Sequence, residues 1–277
     1  MTWHARLELH ARHDGGRCTV HAAHEGPLRV LKTLHPEGDA IAHQVIVHPP
    51  GGIVGGDRLE LALDLQPHAH LVLTTPGAAR FYRSDGADGV QQMSACLHAH
   101  ARLEWLPLES IAHSGCQATN HAEFHLEPDA EMIGWDVLAL GLPASGEAFA
   151  AGRFTQHVEL PGVWIERGVI RADDDRLLHS PLGLDGRSTV LTVWFASGQP
   201  LATARLEALV DAARACVQAQ EGTDCPAGVT ALHGRVVVLR ALAHRVEPAL
   251  RLAQAVRAVW RGLAWQLAPT APRVWLT

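Results

Sequence analysis

Lysine is almost absent from this 277-residue chain, with Lys32 alone among the cations and arginine supplying the rest. Tyrosine is equally scarce, Tyr82 being the single example. There is no basic run, and 23 Lys+Arg stand against 29 Asp+Glu for a formal charge of −6. Phosphate binding needs clustered cations, so nucleic acid is excluded as the main partner. No uninterrupted apolar stretch approaches the ~18 residues of a membrane span, and none is expected. Met1–Val20 has no seven-residue apolar run behind a basic segment, so no signal peptide is expected. The five cysteines are odd in number, scattered and free of any CxxC pair. That pattern suits free thiols in a reducing cytoplasm, with a short Cys216–Cys225 bridge left open.

What the chain does have is histidine, 19 in all, and turn residues, with 25 Gly and 16 Pro. Short apolar runs with β-branched or alternating residues occur at Ile41–Val47, Leu59–Leu65, His70–Thr75, Met93–Leu97 and Arg102–Leu106. The texture returns at Glu131–Leu138, Thr155–Leu160, Val163–Ile170 and Val190–Phe195. Strands punctuated every ten to fifteen residues by Gly, Pro and Asp predict a mainly β fold, a sandwich or a stacked, helical arrangement of sheets. No repeat in the sequence chooses between them. The last third changes character. Leu206, Leu209, Val210, Ala213 and Val217 predict a helix within Leu201–Gln220, with Gly222 as its stop. Arg235–Leu239 reads as one more strand. Leu250, Val256, Val259, Trp260, Leu263 and Leu267 predict a second helix over Glu247–Leu267, with Arg251, Arg257 and Arg261 covering its other face. A single domain over 1–277 is expected, β-rich to residue 200 and helical within 201–267.

Candidates for chemistry are few. The loop His48–Asp57 has four glycines in six residues, yet it lacks a GK[ST] ending and a following helix, so it reads as a rigid turn that could also present a surface. His68 with His70, and His98 with His100, are pairs at strand spacing, able to hold one ion between two imidazoles on one strand face. His113 and Cys116 form an HxxC pair that would suit zinc or nickel, and His121 with His125 would share a face in a helix. Each is weighed against a satisfied or solvated histidine. Ser145 and Ser114 lack the surroundings of a nucleophile elbow. Glu109 and Asp136 each lie near a tryptophan in an apolar stretch, where burial would raise a carboxyl pKa. No catalytic constellation emerges. The competing enzyme reading is a metal-dependent β-sandwich or cupin-like protein built on the HxH pairs.

Five strings together resemble one family: HPPGGIVGGDRL at His48–Leu59, TTPGAARFYRS at Thr74–Ser84, WLPLES at Trp105–Ser110, GWDVLALGLPASGE at Gly134–Glu147 and PRVWLT at Pro272–Thr277. In this order, over nearly the whole chain, they resemble the UreD (UreH) urease accessory proteins. The resemblance implies a largely β, non-catalytic maturation factor without a tightly bound cofactor. It implies a UreF-type partner that recruits a nickel-carrying UreG-type GTPase, docking of the assembly on apo-urease, and a passage for transient nickel. The positions carried by the motifs are Pro50, Gly51, Gly52, Gly55, Gly56 and Asp57, then Tyr82, Arg83, Ser84, Trp105, Pro107 and Trp135. Glu109 and Asp136 become the expected passage residues. The family commonly follows its WLP motif with an acidic, glycine-containing segment, where this chain has Ile111–Cys116 and so adds His113 and Cys116 as soft ligands.

Overall fold

The computed structural model describes residues 2–220 and 224–276. The chain opens with the hairpin β1 (His4–Asp14) and β2 (Arg17–Glu25) and the short β3 (Arg29–Val30). Then follow β4 (Ala42–Val47), β5 (Arg58–Leu65), β6 (His70–Thr74), the short β7 (Ala79–Phe81), β8 (Gly89–Leu97) and β9 (Arg102–Leu106). The short β10 (Ser110–Ala112), β11 (Cys116–Leu126), β12 (Glu131–Leu140), β13 (Gly152–Leu160) and β14 (Trp164–Arg171) complete the first part. Beyond them lie α1 (Asp175–His179), β15 (Thr189–Ser197), α2 (Thr203–Gln218), β16 (Ala227–Leu232), β17 (Val236–Ala243) and α3 (Val246–Trp265).

The chain winds from one sheet to the other and back. Strands β1, β5, β8, β11 and β13 run parallel in a seven-stranded sheet, closed at its edges by the antiparallel β2 and β14. Strands β4, β6, β9 and β12 run parallel in the facing ten-stranded sheet, which β15, β17 and β16 extend antiparallel. The stacked arrangement is therefore the one realised. Partners one coil apart in the first sheet are Arg58, Val90, Thr119 and Thr155, so successive coils take 32, 29 and 36 residues. Such unequal coils leave no period in the sequence. The turn residues His68 and His100, both at positive φ and one coil apart, stack at 4.8 Å.

Two apolar interiors result. Alternate residues of the seven-stranded sheet, such as Leu59, Leu61 and Leu63, meet the ten-stranded sheet from one side. The other face of the ten-stranded sheet, carrying Trp135, Val193 and Leu239, is covered by α2 and α3 through Leu209, Leu252, Val256 and Trp260. Strand β12, buried from both sides, accordingly reads as a nearly continuous apolar run.

Three expectations need correction or limits. Arg257 and Arg261 do not cover the solvent face of α3; they are 2 % and 0 % exposed, while Leu263 is 50 % exposed. The helix is rotated so that its arginines reach Glu104 of β9, which is itself fully buried. Cys216 and Cys225 are both free thiols. The helix stop expected at Gly222 lies outside the described residues.

Candidate functional site

The glycine loop is built around two side chains of the next motif. A Cβ on Gly52 would lie 2.1 Å from the Tyr82 ring, and one on Gly55 would lie 2.0 Å from Ser84 Oγ. These glycines are absences into which Tyr82 and Ser84 fit. Asp57 locks the loop from below, its buried carboxylate accepting hydrogen bonds from the backbone N–H of Trp3 (2.7 Å) and Val54 (3.0 Å). Gly51 and Gly56 stand at positive φ, and Pro50 is exposed at the tip. Arg83 is exposed beside Gly115, while Tyr82 lies against the His113 ring at 4.7 Å. The rigid-turn reading accounts for most of this motif.

The second motif cluster surrounds a cavity between the sheets. In Gly134-Trp135-Asp136 the strand alternation sends Trp135 toward the helices, where its Nε1 donates to the Pro107 carbonyl at 2.6 Å. Gly134 and Asp136 point the other way. A Cβ on Gly134 would lie 2.4 Å from the Trp194 ring, so only glycine leaves room for that indole. Asp136 lines a cavity of about 70 Å³ together with Asn120, Gln91, Thr75, Trp105 and Trp194. A second hollow of about 240 Å³ shares Thr75, Ala79 and Gln91 with it and extends to His48, Gly51 and Gly52, so the cavity continues toward the glycine loop. The volume is enough for ordered water, and the polar lining gives water partners. His48 Nε2 and Trp194 Nε1 lack protein partners.

Asp136 has an unusual ionisation. Burial pushes its carboxyl up to about 7, with the Gln156 and Asn120 hydrogen bonds pulling the other way and Glu166 adding a like charge. Its residual accessible surface faces the cavity, which explains how a group with some exposure is still desolvated. Asn120 Nδ2 donates to Asp136 Oδ1 at 3.2 Å and accepts through Oδ1 from Gln91 at 3.1 Å, forming a polar thread across the interior. Glu109 is elsewhere. Leu108 and Ser110 turn into the cavity, whereas Glu109 and Ile111 line a separate hollow with Pro143 and Arg245.

The histidine pairs do not act as pairs. His68 occupies a turn, whereas His70 is buried with Nε2 3.1 Å from Glu104 Oε1. His98 bridges Asp64 and Glu127, whose hydrogen bonds hold its pKa above the usual value against the opposing pull of burial. His100 stacks on His68 instead of facing His98. Burial raises the Cys116 thiol to about 11, and Sγ lies 3.8 Å from the Arg153 carbonyl, so a thiolate ligand beside His113 is disfavoured. Strand β11 does put His121 and His125 on one face, by the period of a strand and not of a helix. The sequence reading passed over Glu104, whose signal is an acid inside the apolar run of β9.

The family model for the UreD urease accessory protein matches residues 4–276. The chain belongs to the UreD family. A UreD urease accessory protein of Albidiferax ferrireducens is 53% identical over 275 residues, 99% of each chain. Those of Leptothrix cholodnii and Paracidovorax citrulli are each 52% identical, over 100% and 99% of both chains respectively. This UreD chain accordingly has a role in urease maturation. Its motifs map to two places, the Tyr82–glycine-loop lock and the lining of the intersheet cavity. Trp275 of the terminal motif packs on Trp135 at 5.4 Å and donates to Thr74 Oγ1 at 2.9 Å, tying the end of the chain to the helix-side face of the ten-stranded sheet, behind the cavity. Among the described residues, no helix is long and apolar enough to cross a membrane.

Proposed function

We propose that this UreD chain is a non-catalytic cytoplasmic scaffold which, with UreF-type and UreG-type partners, delivers Ni²⁺ to apo-urease through the cavity between its sheets. The observation that carries the reading is Asp136, a carboxylate lining an interior cavity and titrating near neutrality. A conduit has to replace part of the ion's hydration without trapping it. Carbonyl, amide and single carboxylate oxygens do this, whereas a closed cage of imidazoles and thiolates would not. Asp136 with Asn120, Gln91 and Thr75 supplies such an oxygen-rich, open set, and competition between proton and metal at a carboxyl near pH 7 keeps occupancy brief. His48 stands at the glycine-loop end of the route.

The test is nickel loading of apo-urease reconstituted with the accessory partners. Asp136→Ala is expected to lower nickel incorporation while the assembly still co-purifies. Glu109→Ala, which faces a different hollow, is expected to load nickel as the parent does. Full loading with Asp136→Ala refutes the route through this cavity.

A further inference from the structure

The outer face of the seven-stranded sheet carries a second cluster, on the opposite side of the strands that line the cavity. Parallel pairing of β11 with β13 sets His121 directly opposite His157. Glu159, two residues beyond His157, projects from the same face. The two imidazole rings lie 4.3 Å apart at 31°. His157 Nε2 is hydrogen-bonded to Glu159 Oε2 at 2.7 Å, whereas His121 Nε2 is shut off from solvent with no hydrogen-bond partner. One ligand atom from each residue falls within 4.8 Å of the other two, the only such group of three or more among the described residues. Glu123 Oε2 lies 3.9 Å from His121 Nε2, and the cationic Arg167 lies opposite His157 on β14.

We infer that His121, His157 and Glu159 form a binding site for a divalent first-row transition cation such as Zn²⁺ or Ni²⁺. Two imidazoles and a carboxylate are the donors these ions take, and three protein ligands leave a position for water. Metal–ligand bonds of ~2.0–2.2 Å at tetrahedral angles set ligand atoms roughly 3.3–3.6 Å apart, a contraction that side-chain rotation from within 4.8 Å supplies. A metal would also satisfy the orphaned His121 nitrogen, an unpaired atom that burial otherwise makes costly. At His157 Nε2 it would replace the hydrogen bond to Glu159, the ring proton passing to Nδ1 so that the imidazole binds as a neutral ligand. Glu123 could fill the fourth position in place of that water, its other oxygen being already anchored on His125 at 2.5 Å. The site does not depend on the proposed passage, since it lies on the opposite surface of the same sheet.

The experiment is calorimetric titration of the full chain with Zn²⁺ and, separately, Ni²⁺, together with the visible spectrum on adding Co²⁺. The parent should show one equivalent that binds more tightly than any other and gives the ligand-field bands of a low-coordinate Co²⁺ centre. His157→Ala and His121→Ala should weaken that equivalent at least ~10-fold, the smallest penalty typical even for an outer-shell partner. Glu159→Gln, less intrusive at a half-exposed position, should weaken it as well and covers the case in which a histidine variant fails to fold. His179→Ala, an exposed histidine on α1, should leave it intact. An unchanged first equivalent in Glu159→Gln and in either folded histidine variant overturns the assignment. So does a parent chain with only weak, equivalent sites.

Discussion

Replacing Asp136 by asparagine should make the protein more stable and less useful at once. The folded carboxyl is raised from 3.8 to about 7, so the folded state holds its proton more tightly than the unfolded chain does. Below pH 3.8 both states are protonated and Asp136 has no effect on the folding balance. As pH rises from there to about 7, the unfolded state ionises first and the native state is progressively destabilised. At 1.36 kcal/mol per unit the full penalty is about 4 kcal/mol at pH 8. Water in the cavity screens the charge, and about 2 kcal/mol is the working expectation. Asparagine keeps an oxygen for the Asn120 amide and carries no charge, so it removes the penalty without opening a void. Urea denaturation at pH 5 and pH 8 measures it. The gain of Asp136→Asn over the parent should already be about 1 kcal/mol at pH 5 and grow to about 2–4 kcal/mol by pH 8. A gain independent of pH, or a less stable variant at pH 8, would show that Asp136 is not a desolvated carboxyl and would remove the basis of the passage reading.

Other outcomes follow from the same geometry. Glu104 holds Arg257 Nε at 2.6 Å and Arg261 Nε at 3.0 Å, so Glu104→Ala leaves Arg257 without a carboxylate and Arg261 with Glu37 alone, and should cost about 3–5 kcal/mol, read as a fall in the thermal midpoint. The same carboxyl is held down at about 2 from 4.5; its stabilisation is complete above pH 4.5 and lost as pH falls toward 2, which an acid titration by circular dichroism should register. Gly52→Ala forces the Tyr82 ring aside and should destabilise by about 1–3 kcal/mol, whereas the same change at Gly77, where nothing lies within 4 Å, should leave the midpoint nearly unchanged. Trp275→Ala removes both the Trp135 packing and the Thr74 hydrogen bond and should cost about 2–4 kcal/mol in urea denaturation.

Where residues act through neighbours in the chain, the sequence could be read. Alternation in β5 and the apolar run of β12 announced strands, and Arg102–Leu106 marked β9 to the residue. Strand β1 was legible too, with Ala5, Leu7, Leu9 and Ala11 buried in strict alternation, yet it drew no strand prediction. Strand β11 was harder, because its inward residues include Cys116, Ala118, Asn120 and Ala122, too small or polar to give an apolar rhythm. What stayed hidden depends on register between distant strands. His121 and His157 are 36 residues apart and meet only because β11 and β13 pair in parallel. Arg261 meets Glu37 and Glu104 across 224 and 157 residues, so no local pattern could tell a buried arginine from one facing water. Asp136 was legible as an acid beside a tryptophan; the cavity that desolvates it required both sheets.

The ion pairs between α3 and the coils also impose an order on the making of the protein. Glu37, Glu104 and the apolar outer face of β12 are synthesised well before Arg257 and Arg261. The interval from Leu140 to Arg257 is 117 residues, roughly 6–23 s at ordinary rates of translation. During that time the growing chain has its coils up to β12 but not α3, which with α2 covers their second face, nor the cations that neutralise the carboxylates beneath it. Completion is thus deferred to the last few dozen residues, and truncation before α3 would release a half-clad sheet prone to pairing with others of its kind.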